Sequence, residues 1–288
     1  MNTHTFTVSL GDHTITMETG KLARQAGGAL TLRCGDTMLM TTATMSSSER
    51  EGINFFPLTV DFEERLYAAG RIPGSFFRRE GRPTESAILI ARLTDRPLRP
   101  LFPDDLRNEV QVIITPLSQD ETYRADTLAV ISASAALTIS DIPFSGPIGA
   151  VRVGYIDGEL VVNPTIPQME ESVLDLRLAG TKTALLMVEA GAEEVPEDVI
   201  LEALSMGHEA IQAIVEVQEE MRQVVGKPKR DYTSFGVPSE LIDRVRDLVQ
   251  DRMTGQLFQT TDKKSRYGLL DELRAEAVEK LGEEYDKS

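Results

Sequence analysis

The sequence predicts an α+β domain followed by a small all-α domain. Three observations lead there. The first 60 residues alternate polar and apolar side chains in short runs separated by turn residues. Further strand-like runs then alternate with helical segments. Beyond a basic stretch at residues 227–230, only helical patterns remain. With 288 residues, 41% of them hydrophobic, the chain can bury a substantial core as one large or two smaller domains.

Phe6, Val8 and Leu10 alternate, Gly11-Asp12 supplies a turn, and Ile15 and Met17 resume the alternation, which predicts a hairpin. Residues 30–33, a turn at Gly35-Asp36, and residues 38–45 predict a second. Residues 55–62 form the next candidate strand, with Pro57 near its start. Gly70, Pro73, Gly74, Gly81 and Pro83 then break regular structure, so residues 66–82 read as a loop. A helix follows over 84–93 with Thr84 as its cap. Residues 110–116 read as a strand and 124–139 as a helix. That helix is dense in small residues (Ala125, Ala129, Ser132 to Ala136), which lets it approach a sheet closely. Pro143, Gly146, Pro147 and Gly149 turn the chain. Strands are expected at 150–155, 174–179 and 184–189.

Pro196 opens a long helix, with Glu197 and Asp198 in the first turn, where acids favour the helix dipole. Ile200, Leu204, Ile211 and Val215 share one face. Lys227, Pro228, Lys229 and Arg230 end it and read as a linker. Leu241, Val245, Leu248 and Val249 line one stripe, and residues 269–281 predict another helix. The expected domains are therefore 1–228 and 229–288.

No apolar run approaches the roughly 20 residues of a membrane helix. The alternating start, residues 1–11, has neither the basic end and apolar stretch of a signal peptide nor the character of a transit peptide. The single cysteine, Cys34, allows no intramolecular disulfide, so a reducing, cytoplasmic setting is expected. Cys34, His4, His13 and His208 are scattered, with neither zinc-ligand spacing nor a nucleophile–base pair.

The formal charge of −16 by itself argues against nucleic acid as a partner. Its distribution argues otherwise. Between Arg65 and Arg99 stand eight arginines, no lysine and three acids, a local charge of +5. Within that island, Phe76-Phe77-Arg78-Arg79-Glu80-Gly81-Arg82 sets two aromatics beside arginines in a loop. Bases of a single strand stack on exposed rings whatever their identity, and arginines grip phosphates. The same residues would also suit a loop whose phenylalanines plug a core and whose arginines pair with Glu63 and Glu64.

A longer string narrows the choice. Asp61-Phe62-Glu63-Glu64-Arg65 leads through Ala69-Gly70-Arg71-Ile72-Pro73-Gly74-Ser75 into the aromatic–arginine run. Arg92-Leu93-Thr94-Asp95-Arg96-Pro97-Leu98-Arg99-Pro100-Leu101-Phe102-Pro103 follows. Together with Gly20-Lys21-Leu22-Ala23-Arg24-Gln25-Ala26, Ser140-Asp141-Ile142-Pro143-Phe144, Gly146-Pro147-Ile148-Gly149-Ala150 and Ala179-Gly180-Thr181, this resembles the first core of bacterial polynucleotide phosphorylases. The resemblance covers the chain to about residue 223, and the later helices resemble that family's helical linker domain.

The resemblance implies a ribonuclease PH-like core (ribosomal protein S5 domain 2-like, mixed sheets with packed helices) and part of an all-α domain. It implies a phosphate-dependent 3′→5′ exoribonuclease that releases nucleoside diphosphates, more than twice this long, cytoplasmic and homotrimeric. An endonuclease or helicase of an RNA-degrading assembly is an expected partner. Phe76, Phe77, Arg78 and Arg79, with Arg82 as an addition, match the loop lining the RNA pore, so RNA binding is expected of them.

In that family, phosphate and Mg²⁺ belong to the second core. There a serine cluster holds phosphate, and two aspartates six residues apart precede an Ala-Gly-Thr. The corresponding positions here are Arg124-Ala125-Asp126 for the serines, and Met169 and Asp175 for the aspartates. No catalytic residue and no metal site are expected in this chain. Two alternatives stand beside this reading. One is a self-sufficient ribonuclease PH-like enzyme using Asp175, Glu170 and the arginines at 92–99. The other is a purely structural ring subunit.

Overall fold

The computed structural model describes residues 3–10, 13–50, 52–74 and 76–282. The predicted turn at Gly11-Asp12, and Ser75 in the loop, lie outside these. The chain divides into two compact units, Met1–Ser234 and Phe235–Ser288.

Six strands make the first sheet: β1 His4–Leu10, β2 His13–Thr19, β3 Gly28–Cys34, β4 Thr37–Glu49, β5 Leu58–Phe62 and β6 Asn108–Ser118. Their order is β1-β2-β3-β4-β6-β5, antiparallel except for the parallel β5/β6 pair. The predicted strand over 55–62 begins only at Leu58. Pro57 has no N–H to give a ladder, though its carbonyl accepts from Val110 N. Four antiparallel strands make the second sheet, in the order β10-β9-β7-β8: β7 Gly149–Ile156, β8 Glu159–Val162, β9 Leu174–Gly180 and β10 Leu185–Ala192.

Helix α1, Glu85–Leu98, runs five residues past the predicted 84–93, carrying Pro97 in its last turn before a 3-10 turn at Arg99–Leu101. Helix α2, Ala125–Ile139, is buried along nearly its whole length. A helix that is apolar all round belongs inside a core, and α2 contacts β3, β4 and β6 of one sheet and β7 of the other. The small residues allow the approach: a Cβ on Gly28 of β3 would stand 2.0 Å from the Ala136 carbonyl oxygen. Helix α4, Glu197–Val225, closes the unit against β1, β7 and β9. A Cβ on its Gly207 would meet Leu178 at 2.3 Å, so the helix rests almost directly on the second sheet.

Strand β8 and the short helix α3, Ile166–Glu170, were not predicted. The four residues of β8 are too few to show alternation, and α3 is one capping box, with Thr165 and Gln168 bonding reciprocally.

The basic stretch read as a linker is docked. Lys227 Nζ donates to Gly27 O (2.6 Å), and Lys229 Nζ to the carbonyls of Leu137, Thr138 and Ser140 (2.9, 3.2 and 2.9 Å) at the C-terminal end of α2. Arg230 binds the Asp141 carboxylate, and Tyr232 donates to Asp105. The first unit therefore extends to Ser234, six residues beyond the predicted boundary.

The second unit holds α5, Ser239–Arg252, a π-helical turn at Met253–Leu257, and α6, Lys263–Leu281, with Leu273 and Leu281 buried. Among the described residues no helix is long and apolar enough to cross a membrane.

Candidate nucleic-acid interface

The aromatic–arginine segment sits on the long connection, residues 63–84, between β5 and α1. Two braces close its base. Thr84 caps α1 by accepting from Ala87 N, and its hydroxyl donates to Glu64 at 2.6 Å. The Glu80 carboxylate accepts from Leu66 N at 3.0 Å. A 3-10 turn at Leu66–Ala69 starts the loop, ended by left-handed Gly70 and tied down where Gln119 N donates to Ala68 O.

Beyond the braces, Phe76 is 95% exposed and Phe77 76%. Their rings meet edge to face at 5.5 Å between centroids. They plug no core of this chain. The arginines do not pair with Glu63 and Glu64 either, because Glu63 binds Arg65 and Glu64 binds Thr84. Among the described residues the guanidinium groups of Arg71, Arg78, Arg79 and Arg82 have no hydrogen bond or ion pair. Arg78 also adopts a left-handed backbone (φ 49°), which costs a non-glycine residue about 1–2 kcal/mol. Such strain persists where the surroundings impose it, often at functional sites.

Of the other arginines of the island, Arg65, Arg96 and Arg99 are committed elsewhere. Arg99 pairs with Asp95 and donates to the carbonyls of Phe56 and Leu58, fastening α1 to β5. Arg96 reaches Glu189 at 3.0 Å.

That last pair ends a continuous ladder. Arg152 on β7 and Arg177 on β9 stand directly opposite each other, and Glu189 on β10 faces Arg177. Two opposed guanidinium groups would repel, but carboxylates separate them. Asp126, in the first turn of α2, binds Arg152 Nη2 at 2.6 Å. Asp175 stands 3.2 Å from Arg152 Nε and 2.8 Å from Arg177 Nη2. Glu189 binds Arg177 at 2.8 Å and Arg96 beyond it. Burial pulls the pKa of Arg152, only 4% exposed, below its usual value despite Asp126 and Asp175. Burial also acts on Arg177, but Asp175, Asp126 and Glu189 outweigh it and push its pKa up.

Beside the ladder lies a groove of about 700 Å³ lined by Arg92, Arg96, Arg124 and Arg177 with Glu85 and Glu189. The structure thus brings Asp126 and Asp175 together, two positions the family resemblance aligns with phosphate and metal binding. The residues do not fit Mg²⁺. Each carboxylate of the ladder is already bound by arginine, and the second aspartate position is Met169, a thioether ill-suited to a hard cation. Met169 instead packs beside Gly154 of β7. Glu170, in the alternative site, is exposed at the end of α3, a helix rather than the strand or turn expected, and joins no rung. No group of three His, Cys, Asp or Glu able to share a metal occurs among the described residues.

Arg152, Arg177 and Glu189 were missed in the sequence. The signal was present: Val151-Arg152-Val153 and Leu176-Arg177-Leu178 each set an arginine between apolar neighbours in a strand.

Comparison with known proteins gives consistent matches. Residues 12–143 match the model of the 3′ exoribonuclease family, domain 1, and residues 146–210 that of domain 2. The chain is 52% identical over 276 residues to a polyribonucleotide nucleotidyltransferase of Heliobacterium modesticaldum, covering 96% of this chain and 39% of that protein. It is 54% identical over 250 residues to one of a Roseiflexus species, covering 87% and 34%. The chain thus spans well under half the length of these relatives. Among solved structures, rice Rrp46 superposes with a TM-score of 0.57 at 15% identity, covering 76% of this chain and 94% of Rrp46, which shows the shared fold.

Proposed function

Because the chain belongs to the 3′ exoribonuclease family, we propose that it serves a phosphate-dependent 3′→5′ exoribonuclease as the core that grips single-stranded RNA. The protein it serves degrades RNA to nucleoside diphosphates. The observation that carries the reading is the loop of two exposed phenylalanines and arginines without partners among the described residues. Phe76 and Phe77 offer faces for bases, and Arg78, Arg79 and Arg82 offer charge to phosphates. Neither contact selects a base, as a processive nuclease requires.

The chemistry lies outside this chain, in a second core that binds inorganic phosphate and Mg²⁺. The ladder supports this, since its arginines are neutralised by the protein's own carboxylates. The working protein is a cytoplasmic homotrimer, its rings of loops aligned around the RNA path, and it associates with an endonuclease or helicase of RNA decay.

The test is a charge reversal, Arg78→Glu with Arg79→Glu, measured by RNA binding over a range of salt. Loss of two phosphate contacts lowers the salt slope by about 1.4 on single-stranded RNA. Unchanged affinity and slope would remove the loop from the RNA path. Incubation with poly(A), Mg²⁺ and phosphate tests the other half. Phosphate-dependent ADP release that Asp175→Asn abolishes would show that this chain carries its own site.

A further inference from the structure

We infer that the RNA grip has a second aromatic position, Tyr67 with Arg71, which Glu80 holds in register with Phe76 and Phe77. The inference rests on the RNA-gripping reading above and extends it along the strand.

Tyr67 is 56% exposed and belongs to the 3-10 turn at the base of the loop rather than to its tip. Four backbone bonds hold that turn: Ala68 N to Arg65 O, Gly70 N to Tyr67 O, Arg71 N to Leu66 O, and Gln119 N to Ala68 O. A ring held out on a hydrogen-bonded turn loses less freedom when a base stacks on it than one on an unbraced loop. Its hydroxyl adds what phenylalanine lacks, a donor and acceptor for a phosphate or a ribose 2′-hydroxyl. Four residues on, the Arg71 guanidinium has no partner among the described residues.

Glu80 connects this position to the tip. Its carboxylate holds the N–H of Leu66, so the residue before Tyr67 meets the third residue after Phe77. Chain geometry then keeps the Tyr67 and Phe77 Cα atoms within roughly 20 Å, a span that a few nucleotides of one strand bridge. No acid occurs from Arg65 to Arg79, and the nearest, Glu80, is occupied by its own bond. A strand crossing from one ring to the other therefore passes Arg71, Arg78 and Arg79 and, along residues 65–80 of the chain, a single carboxylate, which is turned to the Leu66 N–H.

The chain contains no tryptophan, which makes the test direct. Tyr67→Trp and Phe77→Trp, each in the full chain, place a single indole at either position. Base stacking on titration with oligo(A) at low salt quenches it. Both should be quenched. Tyr67→Ala should weaken oligo(A) binding about tenfold, as one base–aromatic contact supplies, while Tyr67→Phe stays within about threefold. Glu80→Ala should reduce quenching at Tyr67→Trp while leaving it at Phe77→Trp. Quenching at Phe77→Trp but not at Tyr67→Trp, with Tyr67→Ala binding normally, overturns this inference and leaves the one-position grip standing. Quenching at neither overturns the RNA-gripping reading itself.

Discussion

Replacing Asp126 by Asn removes one negative charge from a nearly sealed ion pair and keeps the shape. The asparagine can still accept from Thr127 N, as Asp126 Oδ1 does, so the local turn is retained. The loss falls on Arg152, whose side chain is 4% exposed and whose Nη2 stands 2.6 Å from the carboxylate. Breaking a buried pair from one side costs about 3–5 kcal/mol, because the remaining charge stays buried. Arg152 keeps Asp175 at 3.2 Å, which places the expected loss near the lower end, about 3 kcal/mol. Tyrosine fluorescence and circular dichroism in urea would follow the first unit, whose midpoint should fall by about 1 M or more for a slope of 1–3 kcal/mol/M. The companion Asp126→Leu with Arg152→Met removes both charges and should recover most of the loss, since a well-packed apolar pair often replaces a buried ion pair at little cost. A single variant within about 0.5 kcal/mol of the parent refutes the claim that the carboxylate balances Arg152. So does a double variant no better than the single. Loop-dependent RNA binding should survive in both while they stay folded.

Three further outcomes follow from the packing and the buried groups. Gly28→Ala puts a Cβ 2.0 Å from the Ala136 carbonyl oxygen, so α2 or β3 must shift; a loss of about 3 kcal/mol is expected in the same urea assay. Burial, with Arg222 adding to it and Asp141 opposing, pulls Lys229 from 10.5 down to about 8. The unfolded chain therefore holds more protons there between pH 8 and 10.5, so the Lys229 contribution to stability rises with pH across that window. Lys229→Met should flatten that rise, read as urea midpoints at pH 8 and 10. Burial, with the Asp120 charge behind it, pushes the Cys34 thiol up to about 11. A thiol reagent at pH 8 should leave the native protein unmodified and react promptly in urea.

The sequence was most legible where a local pattern has one physical solution. The alternation from Phe6 to Met17 and from Leu30 to Met45 could only pair as hairpins with one face buried, and both hairpins are present. The small residues of α2 stated in advance that something would lie against it, and β3 does, at Gly28. Two kinds of feature escaped. Elements of four or five residues, β8 and α3, are too short for periodicity and exist because a capping box and a hairpin hold them. Long-range polar contacts escaped for a different reason. Lys227 and Lys229 read as a solvated linker because a basic run is usually that, yet their ammonium groups fill carbonyls some 90 to 200 residues earlier in the chain. No local rule announces such a partner.

The charges themselves separate scaffold from site. Arginine occurs twice here in concentrated form, in the ladder and in the loop. In the ladder, Arg152, Arg177 and Arg96 meet Asp126, Asp175 and Glu189 one for one. Strand register brings like charges face to face, and the arrangement is stable only because the carboxylates come with them. In the loop, the nearby acids are withheld: Glu63 goes to Arg65, Glu64 to Thr84 and Glu80 to the Leu66 backbone. A chain of net charge −16 had acids enough to neutralise Arg78, Arg79 and Arg82 had folding alone shaped the loop. The loop instead leaves two large apolar rings in water and holds Arg78 in a strained backbone conformation. That cost is intelligible when an external polyanion completes the pairing, as single-stranded RNA does with phosphates for the arginines and bases for the rings.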